Sequence, residues 1–219
     1  MQIALIGMSG TGKSYWSRHL GRIGFTCYSC DDHIGRRLAR EQGLADGGIE
    51  AIGRWMGFPY EPGFAEREAR YLELEERVLT RFLDEMENSP GQPPPAGVID
   101  TTGSVIYLDD GLLDRLRRAA VVVYLAAPPE KRQALLEGYR KRPRPVIWRG
   151  RFRRDPYEDK PDALARCYMA LVDTRDRRYR RLAHVTIELP VPAPAPADPG
   201  LLLEPVRTYL KETKRAATP

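Results

Sequence analysis

The stretch Gly7-Met8-Ser9-Gly10-Thr11-Gly12-Lys13-Ser14 constrains this chain more than any other. It satisfies the pattern G-x-x-x-x-G-K-[ST] in full, between an apolar run at 2–6 and a helix-compatible segment that opens at Lys13. Chance copies of the string seldom carry both flanks. Glycines allow the turn and let backbone N–H groups close around phosphate oxygens. The following helix aims the positive end of its dipole at the same anion. At this spacing Lys13 reaches the β- and γ-phosphates, and the Ser14 hydroxyl is placed for Mg²⁺. The stretch therefore predicts a strand–loop–helix unit that grips a nucleotide through Gly7, Ser9, Gly10, Thr11, Gly12, Lys13, Ser14 and Tyr15.

The remainder alternates short apolar runs with amphipathic ones, the pattern of an α/β domain with a parallel sheet. Strands are expected at 2–6, 25–29, 98–100, 120–126 and 184–189, and helices at 13–20, 32–42, 64–86, 131–140, 161–183 and 201–211. A short helix is expected at 49–56, inside the glycine-rich stretch 43–63. With 219 residues, the chain is read as one domain at 1–219. An acceptor-binding insertion is placed at about 32–63, a Pro-rich linker at 88–97, a basic lid at about 141–160 and a C-terminal helix at 200–215. No run approaches the roughly 20 apolar residues of a membrane span. The apolar start lacks a basic leader, and the odd count of 3 cysteines suits a reducing compartment, so the expected location is the cytoplasm.

The formal net charge of +5 is unevenly spread. Residues 140–154 hold eight basic residues and no acid, and 175–181 hold five arginines against Asp176. Outside these segments 22 basic and 29 acidic residues remain, so an acidic body carries two basic patches suited to anions. Those patches keep a polynucleotide-directed kinase or ATPase open as an alternative, although interleaved aromatics are sparse (Trp148, Phe152, Tyr157). A nucleotide-binding regulator with little turnover is a further alternative.

A second acid is needed near the metal, and Ile99-Asp100-Thr101-Thr102-Gly103 supplies one at the end of an apolar strand. The competing role for Asp100 is to cap the next element. No Asn-Lys-x-Asp guanine-reading element occurs, and the chain is short for a ring-forming ATPase module. The expectation is then a small P-loop kinase with a closing lid.

In order and spacing, residues 1–188 resemble the shikimate-kinase-like branch of small-molecule P-loop kinases. Cys30-Asp31-Asp32 resembles the family's Asp-x-Asp, and Glu61-Pro62-Gly63-Phe64 its Gly-x-x-x-Phe-Arg segment. Asp100-Thr101-Thr102-Gly103 resembles Asp-x-x-Gly, Arg144-Pro145-Val146-Ile147 the lid's Arg-Pro-Leu-Leu, and Arg178-Tyr179-Arg180-Arg181 the stretch that holds a substrate-binding arginine.

The resemblance implies a three-layer fold with about five parallel strands, helices on both faces and an inserted lid. It also implies ATP and Mg²⁺ as cofactors and a small-molecule hydroxyl as acceptor. By it, Lys13, Asp32 and Arg144 are catalytic, with Arg144 also on the ATP phosphates. Ser14 and Asp100 hold the metal; Asp32, Thr102, Gly103 and Arg180 contact the acceptor. Asp31 is the alternative to Asp32, and helix capping is the competing role for either.

The chain also departs from the family. Ala65 stands where the family has the arginine on the shikimate carboxylate, Thr101-Thr102-Gly103 replaces a glycine run, Cys30 replaces the first Asp, and the lid is longer and more basic. Loss of one charge-assisted contact removes roughly 2–3 kcal/mol, so an acceptor other than shikimate is expected. The pair Cys27 and Cys30 reads as buried structural thiols rather than zinc ligands. Trp55 and Trp148 read as packing residues or as covers for a bound ring. Monomer and dimer stay equally open.

Overall fold

The computed structural model describes residues 1–43, 47–88, 95–142, 144–188 and 198–216. Five parallel strands form one sheet: β1 (Gln2–Ile6), β2 (Thr26–Ser29), β3 (Gly97–Asp100), β4 (Val121–Ala126) and β5 (Val185–Glu188), in the order β2-β3-β1-β4-β5. The period of two along each strand divides the core. Ala4, Ile6, Ile99, Val122 and Tyr124 face one side, while Ile3, Leu5, Val98, Val123 and Leu125 face the other.

The second side is covered by α1 (Lys13–Arg22), through Trp16 and Leu20, and by α8 (Gly200–Ala216), through Leu202, Leu203 and Val206. The first side carries α2 (Cys30–Gln42), α3 (Ile49–Met56), α4 (Phe64–Glu87), α5 (Asp110–Ala119), α6 (Arg132–Lys141) and α7 (Lys160–Leu182). This is the expected three-layer α/β arrangement. Among the described residues, no helix is long and apolar enough to cross a membrane.

Register places the functional ends together. Leu5 of β1 pairs with Asp100 of β3, and Asp100 pairs with Ser29 of β2. The loop after β1, the carboxylate ending β3 and the start of α2 therefore meet at one edge of the sheet. That edge lies at the carboxyl ends of the strands, where strand order reverses and open α/β sheets form their crevice.

Several boundaries differ from expectation. Helix α2 starts at Cys30 rather than 32, because the Ser29 hydroxyl accepts from Asp32 N at 3.3 Å and caps it. Gly97, assigned to the linker, is the first residue of β3 and pairs with Gln2 and Thr26. Helix α5 was not anticipated; Asp109 caps it by accepting from Gly111 N at 2.8 Å, and Leu116 anchors it. Helix α6 opens one residue late, after a 3-10 turn at Pro129–Lys131. Linker residues 89–94 and spacer residues 189–197 lie outside the described residues.

Candidate active site

The loop from Gly7 to Gly12 is bent by glycines with positive φ. Gly7 has φ 144°, and a Cβ there would sit 2.7 Å from Leu125 O, so no other residue fits without displacing β4. Thr11 closes the turn inward, its Oγ1 donating to Met8 O at 2.9 Å. Gly12, with φ 93°, stands at the N-terminus of α1, where no side chain caps the helix and no acid occupies the first turn. The leading N–H groups are thereby left to an anion. Lys13 is buried and its Nζ spans the loop, donating to Gly7 O at 2.9 Å and Met8 O at 3.2 Å. Burial lowers the Lys13 pKa, and the nearby carboxylates of Asp100 and Asp31 act against that shift.

Asp100 is 3% exposed. Burial raises its pKa to about 6, against the opposing pull of Lys13 and a hydrogen bond from Ser14. Its Oδ1 is buried and, among the described residues, without a hydrogen-bond partner. A buried carboxylate oxygen lacking a donor, beside a serine hydroxyl at a helix N-terminus, is a hard-oxygen arrangement that fits Mg²⁺.

Asp31 and Asp32 both line the cleft, but their surroundings differ. Asp32 is exposed, whereas Asp31 is half-buried and its Oδ1 accepts from the buried Tyr71 hydroxyl of α4 at 2.7 Å. Burial raises the Asp31 pKa, while the Tyr71 hydrogen bond and Lys13 pull it back. Arg144 enters from the lid, Nη1 donating to Ser9 Oγ at 3.2 Å. Ser9, Gly10, Gly12, Lys13, Ser14 and Tyr15 thus share one cleft of about 540 Å³ with Asp31, Asp32, Asp100 and Arg144. Across the Ser9–Arg144 contact lies a more apolar pocket of about 410 Å³, walled by Leu135, Tyr139, Val146 and Tyr168.

Other expected residues are placed elsewhere. Thr102 is buried and donates to Glu75 instead of facing the cleft; Ser104 donates to the same carboxylate. Gly103 lies behind the phosphate loop, where a Cβ would come within 3.3 Å of Ser9 N. Its carbonyl accepts from Arg175 at 3.0 Å and from Tyr179. Arg180 is held away from the cleft by Asp176 at 2.9 Å and Glu188 at 3.8 Å, with its guanidinium over the Tyr124 ring. The reason is helical periodicity: 180 falls on the exposed side of α7. Arg175, 2% exposed, is the arginine that reaches the loop region, donating also to Ile147 O and to Tyr107 Oη at 3.4 Å.

Three residues escaped sequence reasoning. Arg175 sits at i+4 from Leu171 and i−4 from Tyr179 on the buried stripe of α7, and Glu75 sits likewise between Tyr71 and Leu79 on α4. A charged residue in register with an apolar stripe was the available signal. Burial pushes the Glu75 carboxyl up to about 7. Glu68 of α4 is the third. It accepts from the backbone N–H groups of Trp148 and, at 3.0 Å, Arg149. With Trp148 1% exposed, this part of the segment expected to be the lid is docked into the core, and the indole packs instead of facing the cleft. Cys27 is exposed rather than buried, its thiol donating to Ser17 O at 3.2 Å. Cys30 and Cys167 are buried, and Cys167 donates to Arg153 O at 3.2 Å.

Comparison with known proteins agrees with this geometry. A shikimate kinase of Paracidovorax citrulli is 32% identical over 134 residues, 60% of this chain and 58% of that protein, so the match spans less than two thirds of the relative. Among solved structures, shikimate kinase from Acinetobacter baumannii in complex with shikimate superposes with a TM-score of 0.55 at 23% identity, over 86% of this chain and 83% of that one. Shikimate kinase from Aquifex aeolicus gives a TM-score of 0.53 at 18% identity, over 98% of both chains. No family model matches the chain. In its five-stranded parallel sheet and helical layers, the chain has the P-loop kinase fold of these shikimate kinase structures.

Proposed function

We propose that this protein is a Mg²⁺-dependent kinase that transfers the γ-phosphoryl group of ATP to a hydroxyl of a small molecule other than shikimate. The observation that carries this reading is the convergence in one cleft of Lys13, Arg144, the Asp100 carboxylate with its unpartnered Oδ1 and the Tyr71-anchored Asp31. The relative and the solved structures named above support the kinase class. The replacement of a carboxylate-binding arginine by Ala65, together with the engagement of Arg175 by backbone carbonyls, argues against a shikimate-like carboxylate as the anchor.

In this reading the loop amides and Lys13 hold the β- and γ-phosphates. Asp100 and Ser14 would hold Mg²⁺, which when bound shields phosphate charge. Asp31, rather than the exposed Asp32, orients the acceptor hydroxyl and takes its proton as the new O–P bond forms and the bond to the ADP oxygen breaks. The fixed Tyr71 contact suits that role, since positioning outweighs strong basicity in phosphoryl transfer. Arg144 meets charge that grows on the transferred group. Thr102 and Gly103 shape the wall behind the loop.

Calorimetry with ATP and Mg²⁺ tests the first half of the proposal. Wild-type protein should bind, and Lys13→Ala should weaken binding by at least about tenfold. Phosphoryl transfer is tested by ADP release across a panel of hydroxyl metabolites, with ³¹P NMR identifying the ester. No nucleotide uptake by folded wild-type protein would end this reading, and a shikimate turnover matching the best acceptor would overturn the acceptor assignment.

A further inference from the structure

Helices α2 and α4 enclose a groove of about 570 Å³ that shares no lining residue with the phosphate-loop cleft. Arg36, Arg37 and Arg40 form one wall and Arg77 and Arg81 the other; Leu74 and Val78 provide an apolar floor. Neither of the basic segments conspicuous in the sequence contributes. This third patch exists only because residues about 40 positions apart are folded against each other.

The charges are poorly neutralised. Arg37 pairs with Glu41 at 2.8 Å, Arg77 with Glu73 at 2.5 Å and Arg81 with Glu85 at 2.7 Å, all as i,i+4 contacts with much of each arginine in water. Such exposed pairs are weak and yield readily to a stronger anion. Among the described residues Arg36 and Arg40 have no ion-paired carboxylate, and the Arg36 guanidinium rests against the His33 ring, with Nη2 3.1 Å from Nδ1. Arg70 of α4 bridges the helices by pairing with Glu41 at 2.6 Å. The planar guanidinium fork matches phosphate oxygens two at a time, so arginines gathered from two walls around a short bowl favour a compact anion of several charges. An extended single strand would call for stacking platforms, and among the described residues no Phe, Tyr or Trp lines the groove.

We infer that the α2–α4 groove is a second anion site that takes a small molecule carrying two or more phosphate groups. Its occupation ties together the two helices already joined by the Asp31–Tyr71 hydrogen bond, which places the ligand further along the same helix pair from the acceptor end of the cleft.

Titration calorimetry with inorganic tripolyphosphate tests this on the full chain. Wild-type protein should bind two per chain, and Lys13→Ala should keep the groove site alone. Arg36→Gln/Arg40→Gln should weaken that site at least tenfold, and Arg77→Gln/Arg81→Gln independently should do the same, with thermal unfolding checking that each variant is folded. A Lys13→Ala protein that binds no tripolyphosphate, or groove affinity unaltered in both double variants, would overturn the proposal. So would a single-stranded oligonucleotide that displaces tripolyphosphate with a salt slope spanning many phosphates, since the groove would then be part of a nucleic-acid track. Wild-type protein binding only in the groove would leave this site standing and remove the kinase reading instead.

Discussion

The two ends of the candidate active site are built in opposite ways. The phosphate end comes from eight consecutive residues, and its donors are largely backbone amides set by glycine geometry and by the start of α1. The acceptor end is assembled from α2, α4, the lid and α7, and it rests on side-chain contacts such as Tyr71–Asp31, Glu68 to the lid backbone and Arg175 to Gly103 and Ile147. Backbone cradles tolerate changes in their surroundings because one short segment carries the geometry. A side-chain assembly changes with every partner, and this is the end at which the sequence differs from the family motifs it resembles, at Ala65 and Cys30 among others.

The sharpest test of this contrast is Arg144→Ala. In the proposed reaction its partner charge develops in the transition state, so kcat should fall by about 10²–10³ with little change in the KM for ATP. A raised KM with unaltered kcat would instead assign Arg144 to the phosphate-holding end.

The buried Glu75 beneath the acceptor end provides a test through stability. Its folded pKa of about 7 lies above the ordinary 4.5, so the native state holds the extra proton between those values. Stability should therefore fall as pH rises from about 4.5 to 7, by up to about 3 kcal/mol, and level off above. Denaturant melts across this range should show the slope, and Glu75→Gln should reduce it, leaving the share that Asp100 contributes below about pH 6. A wild-type slope of the opposite sign would place the charge elsewhere.

Glu68→Ala frees two lid N–H groups and should lower kcat about tenfold, while amide exchange at 144–151 accelerates. Glu68→Gln keeps an acceptor and should recover most of both. Unaltered exchange in the alanine variant would show that Trp148 alone seats the lid. The smallest effect is expected from Tyr71→Phe, which removes one hydrogen bond to Asp31 and should cost about 1 kcal/mol in kcat/KM for the acceptor, with ATP binding preserved. Equal losses on both substrates would erase the division between the two ends.

Much of the fold was legible in advance because its signals are local. Apolar runs marked all five strands, and the spacing of Tyr71, Leu79, Phe82 and Met86 marked α4. Helix α5 went unread, although Asp109 and Leu116 carried its cap and its anchor. The phosphate loop, Asp100 and Arg144 were expected in the cleft and lie there. Asp32 lines the cleft as expected, but Asp31 is the acid that Tyr71 holds, and Arg180 is paired with Asp176 away from the cleft. Adjacent residues on a helix differ by about 100° in direction, and only packing against Tyr71 or Asp176 shows which one turns inward.

By itself, the sequence determined the α/β layering, the phosphate cradle and the acid at the end of β3, because periodicity and glycine stereochemistry act within a few residues. Tertiary structure alone decided that Asp31 is the anchored acid, that Arg175 and Glu75 are buried beneath the site, and that five arginines from two helices share one groove. Those features depend on which helix faces meet. That outcome is set by the packing of the whole core, and its one local trace is a charged residue in register with an apolar stripe, at Glu75 and Arg175.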